Sequence, residues 1–194
     1  MTLLATYLPG YSFQEVHSCV ISASTDTVIS AAADYSPDAD PVFRKMIGLR
    51  ELPTRFAGFL TGTQAQLTRP FGMHNFTLLE RRDGAELAYG LVGRFWRPDF
   101  GLVPIKDGCA FRAFGTPGVA KLALGFSAAR QADGTTLLVT ETRVFCPDRA
   151  CWLKFAPYWY VIRPVSGLIR HRILAALKRA SESITIAECM AKTL

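Results

Sequence analysis

Toward the C-terminal end, apolar residues return every three or four positions: Cys151, Phe155, Tyr158, Ile162, Val165, Ile169, Ile173, Ala176, Ala180 and Ile184. That spacing puts them on one side of a helix, with His171, Lys178 and Glu182 on the other. The stripe predicts a long amphipathic helix that buries one side against the rest of the fold. Pro157 and Pro164 fall inside it. A proline in a helix interior removes a backbone bond and costs about 3 kcal/mol. A straight helix from 149 to 184 would also run about 50 Å at ~1.5 Å per residue. The pattern therefore predicts a short aromatic helix from an Asp148 N-cap, a bend near Pro164, and a main helix from Pro164 to about Ser183.

Upstream the period changes. Residues 13–22 alternate as a strand, with Phe13, His17, Cys19 and Ile21 on one side. Thr25 or Asp26 caps a short helix through Val28 and the alanines that follow, and a turn at 36–41 ends it. A second helical stretch follows Pro41, and a third falls within 49–60. Segments 74–82, 86–96, 109–115, 119–131 and 135–146 are strand-like, with hairpin signals at Arg82-Asp-Gly and Ala132-Asp-Gly-Thr. The clearest alternation sets Ala120, Leu122, Leu124 and Phe126 against Val119, Lys121, Ala123 and Gly125. Strands joined by such short turns pair antiparallel. The expected fold is α+β: an antiparallel sheet covered on one side by the long helix, with short helices after the first strand.

The chain has 194 residues, 49% hydrophobic and 20% charged, without repeats or linker-like shifts. One domain over 1–194 is expected, with its core at about 11–183 between a short arm and a short tail. No run of 18 apolar residues is present, so no membrane span is expected. The first ten residues lack the basic start and apolar core of an export signal, and five cysteines lie scattered without a paired spacing. Reduced thiols and a cytoplasmic location are the expectation. The net charge of +6 is densest at Arg170-His-Arg and Lys178-Arg179, which read as a solvated helix face. Nucleic-acid binding wants exposed aromatics among the basic residues, and the spacing assigns the aromatics to buried positions. Nucleic acid is not an expected partner.

Charges on an apolar strand face are informative, because an unpaired buried charge is very costly. Glu141 and Arg143 share a face with Leu137, Val139 and Phe145, which makes them a candidate cavity ion pair; the competing readings are that this face is solvent-exposed or that the pair is structural. Arg94 and Trp96 share a face of another strand, and Arg94 would meet Glu141 or a ligand carboxylate if that face is inward. Tyr89, Leu91 and Phe95 make the other face the more apolar. His17 stands among apolar neighbours as a core residue or a ligand contact. Tyr158 and Trp159 point into the stripe as core or as a cavity wall, with Tyr160 pointing away. His17, His74 and His171 lack metal-ligand spacing, and no phosphate loop, dinucleotide fingerprint or nucleophile elbow occurs. No metal and no cofactor are expected, and no residue is assigned as catalytic.

Four segments carry a family resemblance: Glu15-Val-His-Ser-Cys-Val-Ile-Ser-Ala-Ser-Thr-Asp-Thr-Val, Gly93-Arg-Phe-Trp-Arg-Pro, Thr140-Glu-Thr-Arg-Val, and Phe155-x-x-Tyr-Trp-x-x-Ile-x-Pro-x-Ser-Gly-Leu-Ile-Arg. With their order, the chain resembles a bacterial subgroup of the SRPBCC superfamily, which includes START lipid-transfer domains, the birch-pollen-allergen group and aromatic polyketide cyclases. The resemblance implies a helix-grip fold, a curved antiparallel sheet wrapped around the long C-terminal helix with an apolar cavity between them. It implies binding or transport of a small hydrophobic molecule, lipid or polyketide-like. Two alternatives stand beside it: a cyclase- or dehydrase-like enzyme using Glu141 and arginines, and a protein- or ribosome-interaction module using the basic helix face.

Overall fold

The computed structural model describes residues 1–35 and 72–192, and the helical stretches expected at and after Pro41 lie outside them. The chain runs α1 (Leu3–Tyr7), β1 (Phe13–Ile21), α2 (Thr25–Asp34), a single 3-10 turn (Met73–Asn75), β2 (Thr77–Arg82), β3 (Glu86–Gly93), α3 (Gly108–Ala113), β4 (Ala120–Arg130), β5 (Thr136–Phe145) and α4 (Arg149–Lys192). The five strands form one antiparallel sheet in the order β1-β5-β4-β3-β2. The first strand of the chain pairs with the last, from Phe13 opposite Val144 to Ile21 opposite Thr136. The two hairpins turn on Gly84 and Gly134, at φ 64° and 85°; glycine holds that left-handed backbone without the penalty of a Cβ.

The helix ends are set by side chains that accept from orphan backbone amides. Ser24, one residue ahead of the expected Thr25 or Asp26, accepts from the Thr27 amide at 3.1 Å. The segment read as a strand at 109–115 is instead α3 followed by extended chain. The Asp107 carboxylate accepts from the Ala110 amide at 2.8 Å, and that cap overrides the weak alternation of 109–115. The strand expected at 74–82 starts only at Thr77, after the 3-10 turn, and β3 stops at Gly93 rather than 96.

The long helix does not end or restart at Pro164: α4 is a single run of 44 residues. Both prolines face outward and are exposed. The carbonyls of Leu153 and Tyr160, which lose their helical donors, therefore lie on the watered side, where the cost of a missing bond is small. Asp148 caps the helix as expected, accepting from the Cys151 amide at 2.7 Å. Its second oxygen accepts from the Gly118 amide at 2.6 Å, tying the helix to the approach of β4. Cys151, Phe155, Tyr158, Ile162, Ile169 and Ile173 are buried and Val165 half-buried, as the spacing implies. Farther along, Leu174, Leu177 and Ser181 take the inward place, while Ala180 and Ile184 are exposed. A stripe extrapolated at seven-residue intervals drifts by about 20° per heptad around a straight helix.

The sheet is covered on both faces, not one. On one side Phe13, Ile21, Leu87, Leu91, Leu122, Leu124, Leu138 and Val144 meet Val28 and Ile29 of α2 and the inward stripe of α4. On the other, Leu3, Leu4 and Leu8 of the N-terminal segment and Phe111 of α3 pack on Ala88, Val92 and Ala123. Gly125 permits that layer, since a Cβ there would stand 2.8 Å from Leu4. Lys121 is buried in the same layer and donates to the carbonyls of Arg112 and Phe114, 3.2 Å each, closing the end of α3. An antiparallel sheet with a long C-terminal helix laid across one face is a helix-grip layout.

Candidate functional site

Between the sheet and α4 lies a cavity of about 40 Å³, partly open to solvent. Its polar lining is Glu15, Thr142, Tyr158, Ser166 and Arg170, and its aromatic lining is Phe76, Phe95, Phe155 and Trp159. Each residue is placed by the period of its element. Alternation along β1 sends Glu15 to the helix side with Phe13 and His17, and alternation along β5 sends Thr142 there with Thr140 and Val144. On α4, Tyr158, Ile162, Ser166 and Arg170 follow at intervals of four, one above another on the inward side.

Arg170 reaches across from the helix and donates from Nη2 to the Thr142 hydroxyl at 3.1 Å. Glu15 Oε1 and His17 Nε2 are hydrogen-bonded at 2.8 Å, both side chains largely buried. A Cβ at Gly167 would stand 3.3 Å from that carboxylate oxygen, so the glycine lets the pair lie against the helix backbone. The His17 ring meets the exposed His171 edge-on, centroids 4.8 Å apart. Tyr158 is only 7% exposed, and its hydroxyl has no hydrogen-bond partner among the described residues. Neither has the buried Thr140 hydroxyl, two residues from Thr142. Leaving a buried polar group unpaired costs about 1–3 kcal/mol. Phe155 organises the wall, with Phe13, Phe95, Tyr158 and Trp159 all within 6.2 Å centroid to centroid.

Of the residues singled out from the sequence, Tyr158 and Trp159 line this cavity and His17 borders it through Glu15. Trp96 is half-buried and backs the wall through Phe155 at 6.4 Å, without lining the cavity. Arg94 is exposed and donates to the Gly118 carbonyl at 3.2 Å; it meets neither Glu141 nor the cavity.

Glu141 and Arg143 lie on the other face of the sheet. They pair at 2.6 Å with side chains 17% and 13% exposed. Gln14 Nε2 donates to the same Glu141 oxygen at 2.6 Å, and Arg143 Nη1 donates to the Leu8 carbonyl at 3.3 Å. The guanidinium also covers the Tyr11 ring, 4.9 Å from its centroid. This network pins the N-terminal segment onto the sheet. The expectation that Glu141 and Arg143 form a pair in the sheet–helix cavity is corrected: with both sheet faces covered, the more apolar side of β5 is not the side toward α4.

Glu15, Thr142, Ser166 and Arg170 were not read as site residues. Glu15 had a usable signal, a carboxylate in phase with Phe13 and His17. Arg170 was hidden inside a basic run, and Thr142 on the more polar face of its strand. Among the described residues no three His, Cys, Asp or Glu side chains cluster as a metal site would require. Among the described residues the cavity offers one carboxylate, one guanidinium and three hydroxyls, a set suited to hydrogen-bonding a compact polar group.

No family model and no curated protein matches the chain. A solved structure, CalU16 from Micromonospora echinospora, is similar to it at 14% identity over 88% of this chain and 86% of that one, with a TM-score of 0.29. The strand register and the seating of α4 define the architecture by themselves. Among the described residues no helix is long and apolar enough to cross a membrane.

Proposed function

We propose that the chain binds a small, largely apolar molecule whose compact polar end sits in the cavity between the sheet and α4. The observation that carries this reading is the Tyr158 hydroxyl, buried and without a partner at a cavity that also presents Arg170, Thr142, Ser166 and Glu15. A space of 40 Å³ has room for about two or three water-sized groups. That suits a carboxylate, carbonyl or hydroxyl end; a pocket that encloses a whole ligand measures about 300–1,000 Å³. The apolar remainder rests against the Phe155 aromatic wall and leaves by the open side. Arg170 supplies planar donors matched to an oxygen pair, Tyr158 a further donor, and Glu15 an acceptor for a hydroxyl. Glu141 lies on the far face, so acid–base work in this cavity would fall to Glu15, whose carboxylate is already engaged by His17; carriage or sensing is the reading we favour over cyclisation.

Native mass spectrometry of freshly purified protein, together with thermal melts in decanoate and in decanol, tests the reading. A retained small molecule, or a melting temperature raised by either probe in the parent and less in Tyr158→Phe, supports it. A protein with nothing bound and a melting temperature that neither probe moves overturns it.

A further inference from the structure

The outward side of α4 is built differently from a merely solvated helix. Residues 149–181 hold seven Lys and Arg and no Asp or Glu, against a net charge of +6 for the whole chain. Yet Leu153, Tyr160, Val161 and Leu168 on this side are 54–63% exposed. With the exposed Pro157 and Pro164 they recur at intervals of three and four, which makes one continuous apolar strip. At 3.6 residues per turn, Arg149 and Arg163 border the strip on one side and Lys154 and Arg172 on the other, all exposed.

Scattered surface leucines need no explanation, and neither does a basic helix face. An apolar strip edged on both sides by cations, on a helix already anchored by its opposite face, is the arrangement of a helix that lies in a lipid interface. We propose that this face docks on an anionic phospholipid surface, with Leu153, Tyr160, Val161 and Leu168 at the headgroup–acyl boundary and the arginines and lysines on lipid phosphates. The charge selects this occupant. A second copy of the chain would bring cation against cation, and a nucleic acid would leave the aliphatic centre of the strip without a counterpart. The prolines fix the depth, because the carbonyls of Leu153 and Tyr160 lack helical donors and would be costly in hydrocarbon, whereas the headgroup layer hydrates them. The proposal does not depend on what the cavity holds.

Vesicle flotation tests it, with the intact chain and vesicles of phosphatidylcholine alone or of three parts phosphatidylcholine to one part phosphatidylglycerol. The parent is expected to float with the anionic vesicles at low salt, not with the neutral ones, and to be released as salt rises. Lys154→Glu combined with Arg163→Glu should weaken partition by at least about a hundredfold. Leu168→Asp should weaken it about tenfold, and Tyr158→Phe should not change it. These outward side chains are exposed, so melting temperatures should stay at the parent's value and report that the variants are folded. No partition onto anionic vesicles overturns the proposal. Partition undiminished by Leu168→Asp, or preferential retention on single-stranded RNA, does so as well.

Discussion

Arg170 on the long helix donates to the hydroxyl of Thr142 on strand β5 at 3.1 Å, and both side chains line the same cavity. Tyr158, three turns earlier on the helix, lines that cavity with a hydroxyl that no group among the described residues partners. The two hydroxyls should therefore respond in opposite ways to removal. Thr142→Val takes an acceptor from a charged donor and should cost about 1.5–3 kcal/mol of stability. Tyr158→Phe removes a group that is desolvated without return and should leave stability unchanged or raise it by about 1 kcal/mol. Both should weaken the response to decanoate. Urea denaturation gives the stabilities and melts in the presence of the probe give the binding. A Tyr158→Phe protein that loses stability would mean that its hydroxyl is partnered in solution.

Arg143 makes a contrasting prediction. Its guanidinium holds Glu141, the Leu8 carbonyl and the Tyr11 ring on the sheet face away from α4. Arg143→Met leaves a largely buried carboxylate without its cation, and should cost about 3 kcal/mol. Hydrogen exchange should show the first eleven residues opening more often, while the decanoate response stays as in the parent. Loss of that response at unchanged stability would return the pair to the ligand site.

The long helix was legible because its inward side is apolar from Cys151 to Leu177 apart from Ser166 and Arg170, and β4 because its residues alternate from Val119 to Phe126. The face of β5 was not. Alternation tells the two sides of a strand apart only when one of them meets water, and β5 is covered by α4 on one side and by the N-terminal segment on the other. Thr136, Thr140 and Thr142 are among its most buried residues, so polarity points away from the helix although geometry points toward it. The burial of the N-terminal arm was missed for a related reason. Five residues of helix are too short for a period, and the depth of Leu3 and Leu4 comes from Gly125 on a strand more than a hundred residues away.

That contact yields a third prediction. In a strand, Gly→Ala ordinarily helps slightly, by limiting the unfolded chain. At Gly125 the added methyl would stand 2.8 Å from two carbons of Leu4, and the buried α1 helix has to give way. Gly125→Ala should cost about 1–3 kcal/mol. Leu4→Ala alone should also destabilise, by about 2–4 kcal/mol. The double variant should be more stable than the sum of the two changes by at least about 1 kcal/mol, since the shortened side chain makes room for the methyl. Additive losses would show that α1 does not sit on Gly125.

The fourth prediction concerns pH. Cys146, just after β5, and Cys151, in the first turn of α4, are free thiols buried side by side. Burial pushes both above the ordinary thiol value of 9.0, most strongly for Cys146. Above pH 9 the unfolded chain has released these protons while the folded chain still holds them. The unfolded state then binds fewer protons, and stability falls as pH rises. The thiols' contribution is fully present below 9.0 and is lost at up to about 1.4 kcal/mol per pH unit for each thiol. Lys121 works in the opposite sense: burial lowers its pKa from 10.5, so stability withheld at neutral pH returns as the pH rises toward that value. The lysine acts equally in the parent and in a Cys146→Ala, Cys151→Ala double variant, so the difference between the two pH profiles isolates the thiols. Urea unfolding across pH 9 should show the parent losing stability more steeply than the double variant. Parallel profiles would mean that the thiols ionise in the folded protein as readily as in the unfolded chain.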